Sequence, residues 1–231
     1  MCAATVEHNG ITHPLGDEWI MEYAAGTLSE GEAVLVASHL SYRPDAARSM
    51  EAAEAIGGSL LNGEAGAAMA PDALAAVLSR IDEPVSGERP AKTAPSAAPD
   101  ATDSVLPAPL REWLGVNDLE DLNWSFMGPG MKKVMLWRGP GDQRVWMLRA
   151  RPGTNIPVHG HRGTELTLVL KGAFRDPHGR FARGDIEEKN EADMHGLTIE
   201  DGEECVCLAL TEGPIRLKSL AARLIQPFIG L

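Results

Sequence analysis

The densest set of side chains able to do chemistry lies between Gly153 and Gly172, in the stretch GTNIPVHGHRGTELTLVLKG. His159 and His161 are two positions apart, so on an extended strand both imidazoles leave the same face. Glu165 opens the apolar run Leu166 to Leu170, which reads as a second strand closed by a turn at Gly172. Two imidazoles and a carboxylate on adjoining strands suit zinc, iron, manganese, nickel or copper, and the donor set alone does not name the ion. Such a site is either closed and structural or open to a further ligand. The sequence contains no separate nucleophile triad, phosphate-binding loop or HEXXH helix.

The elements that must position these residues are short. From Leu110 onward, apolar runs bounded by glycine and proline recur at Trp124–Phe126, Val134–Trp137, Val145–Arg149, Thr167–Leu170 and Cys205–Leu210, the texture of a β-barrel or sandwich. Trp137 and Trp146 flank a hairpin turn at residues 139–142 and read, with the other tryptophans and the methionines, as ordinary core. Cys205 and Cys207 share one face of a strand, as two small buried hydrophobes or as a redox pair. Three cysteines in 231 residues do not make a disulfide scaffold.

The first third of the chain is helical. Residues 1–13 lack periodicity and are expected to start disordered; Asp17–Ala25 is a short helix ended by Gly26. Ser29 to Glu32 fits a capping box for a helix running to Leu40, and Asp45–Leu61 is a third helix weakened by Gly57-Gly58. Pro71 begins a fourth, with Leu74, Val77, Leu78 and Ile81 spaced for one buried face. Residues 84–109, rich in proline, alanine and serine, read as a linker. Residues 1–83 carry three basic and thirteen acidic side chains, a net of −10 out of −12 for the whole chain. That surface repels nucleic acid and favours a basic protein partner. No long apolar window and no secretory signal pattern are present, so a cytoplasmic protein is expected, with no membrane partner.

The spacing Gly153, five residues, His159-x-His161, three residues, Glu165, six residues, Gly172 resembles the first motif of the cupin superfamily at every fixed position. Cupins complete the site with a histidine from a later strand. His195, after the Gly184-Asp185 turn, is the well-placed candidate, with His178 the other downstream histidine. The whole chain outside the linker resembles the ChrR family of anti-sigma factors. The carrying residues are Tyr23 to Glu30, His39-Leu40-Ser41, Gly57 to Leu60, the histidine motif, Gly172 to Asp176, and Gly184 to Glu187. The resemblance implies a multidomain α plus all-β protein: a small anti-sigma-like helical bundle over 1–83, the linker 84–109, and a cupin β-barrel over 110–231. It implies that residues 1–83 hold an extracytoplasmic-function sigma factor and that the barrel binds one divalent ion, zinc favoured, at His159, His161, Glu165 and His195. A response to singlet oxygen or a related oxidant and a homodimer through the barrel also fit this resemblance.

One departure stands out. The family's N-terminal zinc site uses an early histidine and a His, three residues, Cys, two residues, Cys motif, whose positions here hold His39, Arg43 and Ala46. Both thiolates are absent, so His13 and His39 leave a zinc two ligands short, and no zinc is expected there. The helices must then be held by apolar packing, with Arg43 paired to a nearby carboxylate. The rival reading is a cupin dioxygenase or isomerase, in which iron or manganese on the same four residues keeps a vacant position and the helices form an accessory domain.

Overall fold

The computed structural model describes residues 10–81 and 104–217. Four of its five helices precede the strands' core or pack on it: α1 (Asp17–Ala25), α2 (Glu30–Leu40), α3 (Ala46–Asn62) and α5 (Ala108–Leu114), while α4 (Ala73–Ile81) stands apart from the core. Eleven strands follow: β1 (Ser125–Gly128), β2 (Met131–Arg138), β3 (Arg144–Ala150), β4 (Asn155–Gly160), β5 (Glu165–Lys171), β6 (Ala173–Asp176), β7 (Gly179–Ala182), β8 (Ile186–Lys189), β9 (Met194–Ile199), β10 (Cys205–Thr211) and β11 (Arg216–Leu217). They form an antiparallel six-stranded sheet, β1-β2-β3-β10-β5-β8, and a five-stranded sheet, β11-β4-β9-β6-β7.

The alternation along the central strands explains how the sheets are used. On β10, Cys205, Cys207 and Ala209 face the inter-sheet core, with Trp146, Leu148 and Ala150 of β3, Val169 of β5, and Phe174 and Phe181 of the other sheet. Val206, Leu208 and Leu210 face the opposite way, with Val145 and Met147 of β3 and Leu166, Leu168 and Leu170 of β5. This outer face is covered by Val34, Leu35, Val36 and Leu40 of α2, by Ile20 of α1 and by Leu110 of α5. Both faces are therefore dry, which is why every residue of β10 is buried. α2 comes so close that a Cβ on Gly31 would lie 2.7 Å from Val145 Cγ2 and 2.8 Å from the Trp137 ring. A glycine is required at that approach.

α2 begins as its sequence dictates. Ser29 Oγ accepts from Glu32 N–H at 3.3 Å, and Ser29 N–H donates to Glu32 Oε2 at 2.7 Å. Glu32 also accepts from the Gln143 amide at 3.1 Å, and Glu30 from the Trp113 indole at 2.8 Å, so the acidic first turn is tied to the sheet and to α5. α3 runs through Gly57-Gly58 to Asn62.

Three expectations need correction. The apolar stripe of α4 is not buried: Leu74, Val77, Leu78 and Ile81 are all more than half exposed, as are Leu60 and Leu61 of α3 and Met69. A periodic stripe specifies which residues share a face, but burial requires an element to cover it, and none of the described residues does. Residues 10–13 are fixed rather than disordered: Ile11 is buried, and the backbone N–H groups of Thr12 and His13 donate to Asp185 Oδ1 at 2.6 and 2.9 Å. The last linker residues also join the core, with Leu106 fully buried ahead of α5, a helix too short to show periodicity. Residues 1–9, the linker stretch 82–103 and the chain after Leu217 lie outside the described residues.

Around His39, Arg43 and Ala46 the chain is held by packing and hydrogen bonds. Ala46 is buried in the apolar cluster, and Arg43 binds Asp45 through Nε (3.1 Å) and Nη2 (2.8 Å), a bidentate pair. His39 is fully buried and bridges two parts of the fold: its Nε2 accepts from Leu15 N–H at 3.2 Å, and its Nδ1 donates to the Gly184 carbonyl at 3.0 Å. Both ring nitrogens are thus satisfied by the neutral form. Protonating Nε2 would set an N–H against the Leu15 N–H. His13 stacks on Phe181 at 4.3 Å between ring centres, with Nδ1 against Thr12 Oγ1.

Burial, reinforced by the Arg43 charge, lowers the His39 pKa to about 4. The unfolded histidine, near 6.5, takes up a proton first, so this bridge is at full strength above pH 6.5 and is progressively lost as pH falls toward 4. The shift corresponds to roughly 3 kcal/mol over that window. Denaturant titrations across pH 4–7.5 should show the wild type losing stability more steeply with acid than His39→Gln. Parallel curves would show that His39 is not the titrating group.

Candidate metal centre

The candidate centre is built at the ends of interior strands from both sheets. β4 carries His159, with His161 one residue beyond its end, and β9 carries His195 directly opposite His159 in the antiparallel register. Glu165 is the first residue of β5, reached through the turn at residues 162–164. Gly163, at φ +84°, makes that turn short enough for Glu165 to face His161.

The donor atoms converge. His161 Nε2 lies 3.0 Å from His195 Nε2 and 3.1 Å from Glu165 Oε2, and His195 Nε2 lies 3.7 Å from the same carboxylate oxygen. The His159 ring centre is 4.9 Å from that of His161 and 4.6 Å from that of His195. One donor atom from each of the four residues falls within 4.8 Å of the others, and all four side chains are buried. Two of the rings are also held from behind: His159 Nδ1 donates to the Pro157 carbonyl at 2.9 Å, and His195 Nδ1 to Glu187 Oε1 at 3.2 Å. Fixing Nδ1 as N–H directs Nε2 inward, the tautomer a metal ligand needs. Three imidazoles and a carboxylate in this arrangement can hold a divalent ion. His178 takes no part, since it sits in the β6–β7 turn with its backbone N–H on Asp176 Oδ1.

The electrostatics separate the three imidazoles. Burial pushes His159 down and His161 to about 4, so both are neutral at pH 7. His195 goes the other way. Burial opposes its charge, but the carboxylates of Glu165 and Glu187 on either side outweigh that and raise it to about 9. Glu165, although buried, is held below the ordinary carboxylate range by His195 and the other two imidazoles. With Glu165 and Glu187 on either side, His195 favours its charged form, unlike the other two imidazoles.

The paired thiols lie in the same interior. Cys205 Sγ and Cys207 Sγ are 3.6 Å apart, both buried and both free. The contact with Cys205 and burial push the Cys207 thiol well up, and the charges of Glu187 and Glu165 add to this. At rest the pair behaves as buried hydrophobes.

Sequence reasoning missed the groups behind His195. Glu187 and Lys189 are buried, yet they belong to the run IEEKNEAD, whose charge reads as solvated surface. Their alternation on β8 is the signal that was available: Glu187 and Lys189 share one face of the strand and Glu188, which is exposed, takes the other. Among the described residues, no helix is long and apolar enough to cross a membrane.

Residues 115–215 match the sequence profile of the ChrR cupin-like domain. The chain is 39% identical to the anti-sigma-E factor ChrR of Cereibacter sphaeroides over 221 residues, covering 96% of this chain and 99% of the relative. It is also similar to a crystal structure of Rhodobacter sphaeroides SigE in complex with the anti-sigma ChrR, at a TM-score of 0.70 and 37% identity over 87% of this chain and 99% of that one. With helices followed by an antiparallel cupin barrel, and this identity along almost its whole length, the chain belongs to the ChrR family of anti-sigma factors.

Proposed function

We propose that this protein sequesters an extracytoplasmic-function sigma factor in the cytoplasm through its acidic helical part, residues 1–83, joined by a linker that ends before the buried Leu106 to a C-terminal barrel that holds one zinc ion on His159, His161, Glu165 and His195. The observation that carries the partner reading is the uncovered stripe of α4. Leu74, Val77, Leu78 and Ile81, together with Leu60, Leu61 and Met69, stand in water among the described residues. Each such side chain forgoes roughly 1.5–3 kcal/mol of burial, and a contiguous exposed apolar patch of this kind is the mark of a protein-binding surface. The crystallised ChrR relative is in complex with SigE. The net charge of −10 on this third of the chain suits a basic, DNA-binding partner.

The sheet offers the route from the ion to the partner. Glu165 faces the centre and its neighbour Leu166 faces the helical layer; Cys205 and Cys207 face inward and Val206 and Leu208 outward. A change at the inner face, whether loss of the ion or oxidation of the two thiols, displaces residues that support α2. The helical part then presents α3 and α4 differently, which is the differential binding that release of the sigma factor requires.

Co-purification of the full chain with the extracytoplasmic-function sigma factor of its own cell tests the reading. Leu74→Asp with Leu78→Asp should weaken capture on the order of 30-fold or more, since one buried apolar anchor at an interface is worth about 2 kcal/mol. The melting temperature should be unchanged because neither side chain packs in the free protein. Undiminished capture by this variant would place the partner elsewhere.

Elemental analysis of the same samples should find one zinc per chain, lost in His159→Ala. Uptake must displace the proton that His195 carries below about pH 9. Calorimetry in buffers of different ionisation enthalpy should therefore show release of about one proton per ion at pH 7–8, with affinity falling up to tenfold per pH unit as pH drops. Uptake without proton release would show that His195 is already neutral before the ion binds.

A further inference from the structure

Behind His195 lies a row of buried charge that the four donor residues do not by themselves require. Glu187 Oε1 accepts from His195 Nδ1 at 3.2 Å and from Lys189 Nζ at 3.1 Å, and Lys189 Nζ also reaches Asp176 Oδ2 at 3.2 Å. Asp176 in turn accepts through Oδ1 from the backbone N–H groups of His178 and Gly179, which locks it into the β6–β7 turn. The side chains of Asp176, Glu187 and Lys189 are 0, 2 and 7% exposed.

Burying one ammonium and two carboxylates costs several kcal/mol per ion before their attraction is counted, and apolar residues of similar size would fill this space at no such cost. The row is not even optimised for its own stability, since Glu187 Oε2 is buried without a hydrogen-bond partner. Glu187 meets both His195 and Lys189 through the same oxygen, Oε1. Asp176, Glu187 and His195 also lie close enough together to be a second ion-binding group. Lys189, already between the two carboxylates, makes it a salt-bridge row instead.

We propose that Glu187 is the positioning residue of the metal centre: held in place by Lys189 and, through it, by Asp176, it keeps His195 Nδ1 as a donor and so aims Nε2 at the ion. This rests on the reading that His159, His161, Glu165 and His195 hold that ion. Without Glu187 the imidazole is free to rotate about its Cβ–Cγ bond or to exchange tautomers, and the centre loses a ligand part of the time. Lys189 prevents the complementary failure, in which an unsupported carboxylate swings toward the ion as a competing ligand.

The test measures zinc affinity of the full-length protein by chelator competition, with the visible absorption of the cobalt(II)-loaded form as a readout of coordination geometry. Wild type should hold one ion per chain. Glu187→Ala should bind 10–100-fold more weakly, the usual effect of removing such a support, and shift the cobalt spectrum. Glu187→Gln, whose amide oxygen still accepts from Nδ1–H, should lose less; Lys189→Met should move the spectrum in the same direction as the alanine variant. Wild-type affinity and spectrum in Glu187→Ala, or in Glu187→Gln and Lys189→Met should the alanine variant fail to fold, would overturn the role of Glu187 alone. A wild type that takes up no ion would remove the four-residue centre itself, and with it any support role.

Discussion

The structure depends on a sheet that is dry on both sides. β3, β10 and β5 are covered inward by the second sheet and outward by helices, so consecutive residues on one strand belong to two different cores. Most antiparallel sheets keep one face in water and tolerate polar side chains there. Here neither face does, and the helical layer cannot separate from the barrel without exposing Leu166, Leu168, Leu170, Leu208 and Leu210 together. The candidate metal centre and the helices are in this sense two sides of one wall. No long-range pathway is needed to connect them, because Glu165 and Leu166 are adjacent in the chain.

Polar contacts then set the register of that apolar docking. Asp185 is almost fully buried and accepts from the backbone N–H groups of Thr12, His13 and Ala182. Next to it the Gly184 carbonyl takes the His39 ring proton. One turn, at the start of the strand that carries Glu187 and Lys189, thus receives both the N-terminal segment and α2. Apolar surfaces slide at little cost, whereas a buried carboxylate with three backbone donors does not.

His39 is the polar tie between the helical layer and the barrel. Its imidazole accepts from Leu15 N–H and donates to the Gly184 carbonyl. Around it Ala46 adds to the apolar cluster and Arg43 closes on Asp45. These contacts hold α2 to the barrel through the neutral ring, the form that burial favours.

Local patterns in the sequence determined a great deal. The capping box at Ser29, the helices from Asp17, Glu30 and Ala46, the main apolar strands, and the motif placing His159, His161 and Glu165 together all arise from interactions within a few residues or from fixed strand geometry. His195 was legible through the family motif, and the structure sets it opposite His159. What only the tertiary structure decided is which surfaces meet. The stripe of α4 has the same periodicity as that of a buried helix, but nothing among the described residues covers it. Glu187 and Lys189 have the composition of a solvated strand, but the chain closes over them and pairs them with Asp176 and His195. Periodicity records the face a residue occupies; burial and charge pairing depend on residues distant in sequence, which no local pattern specifies.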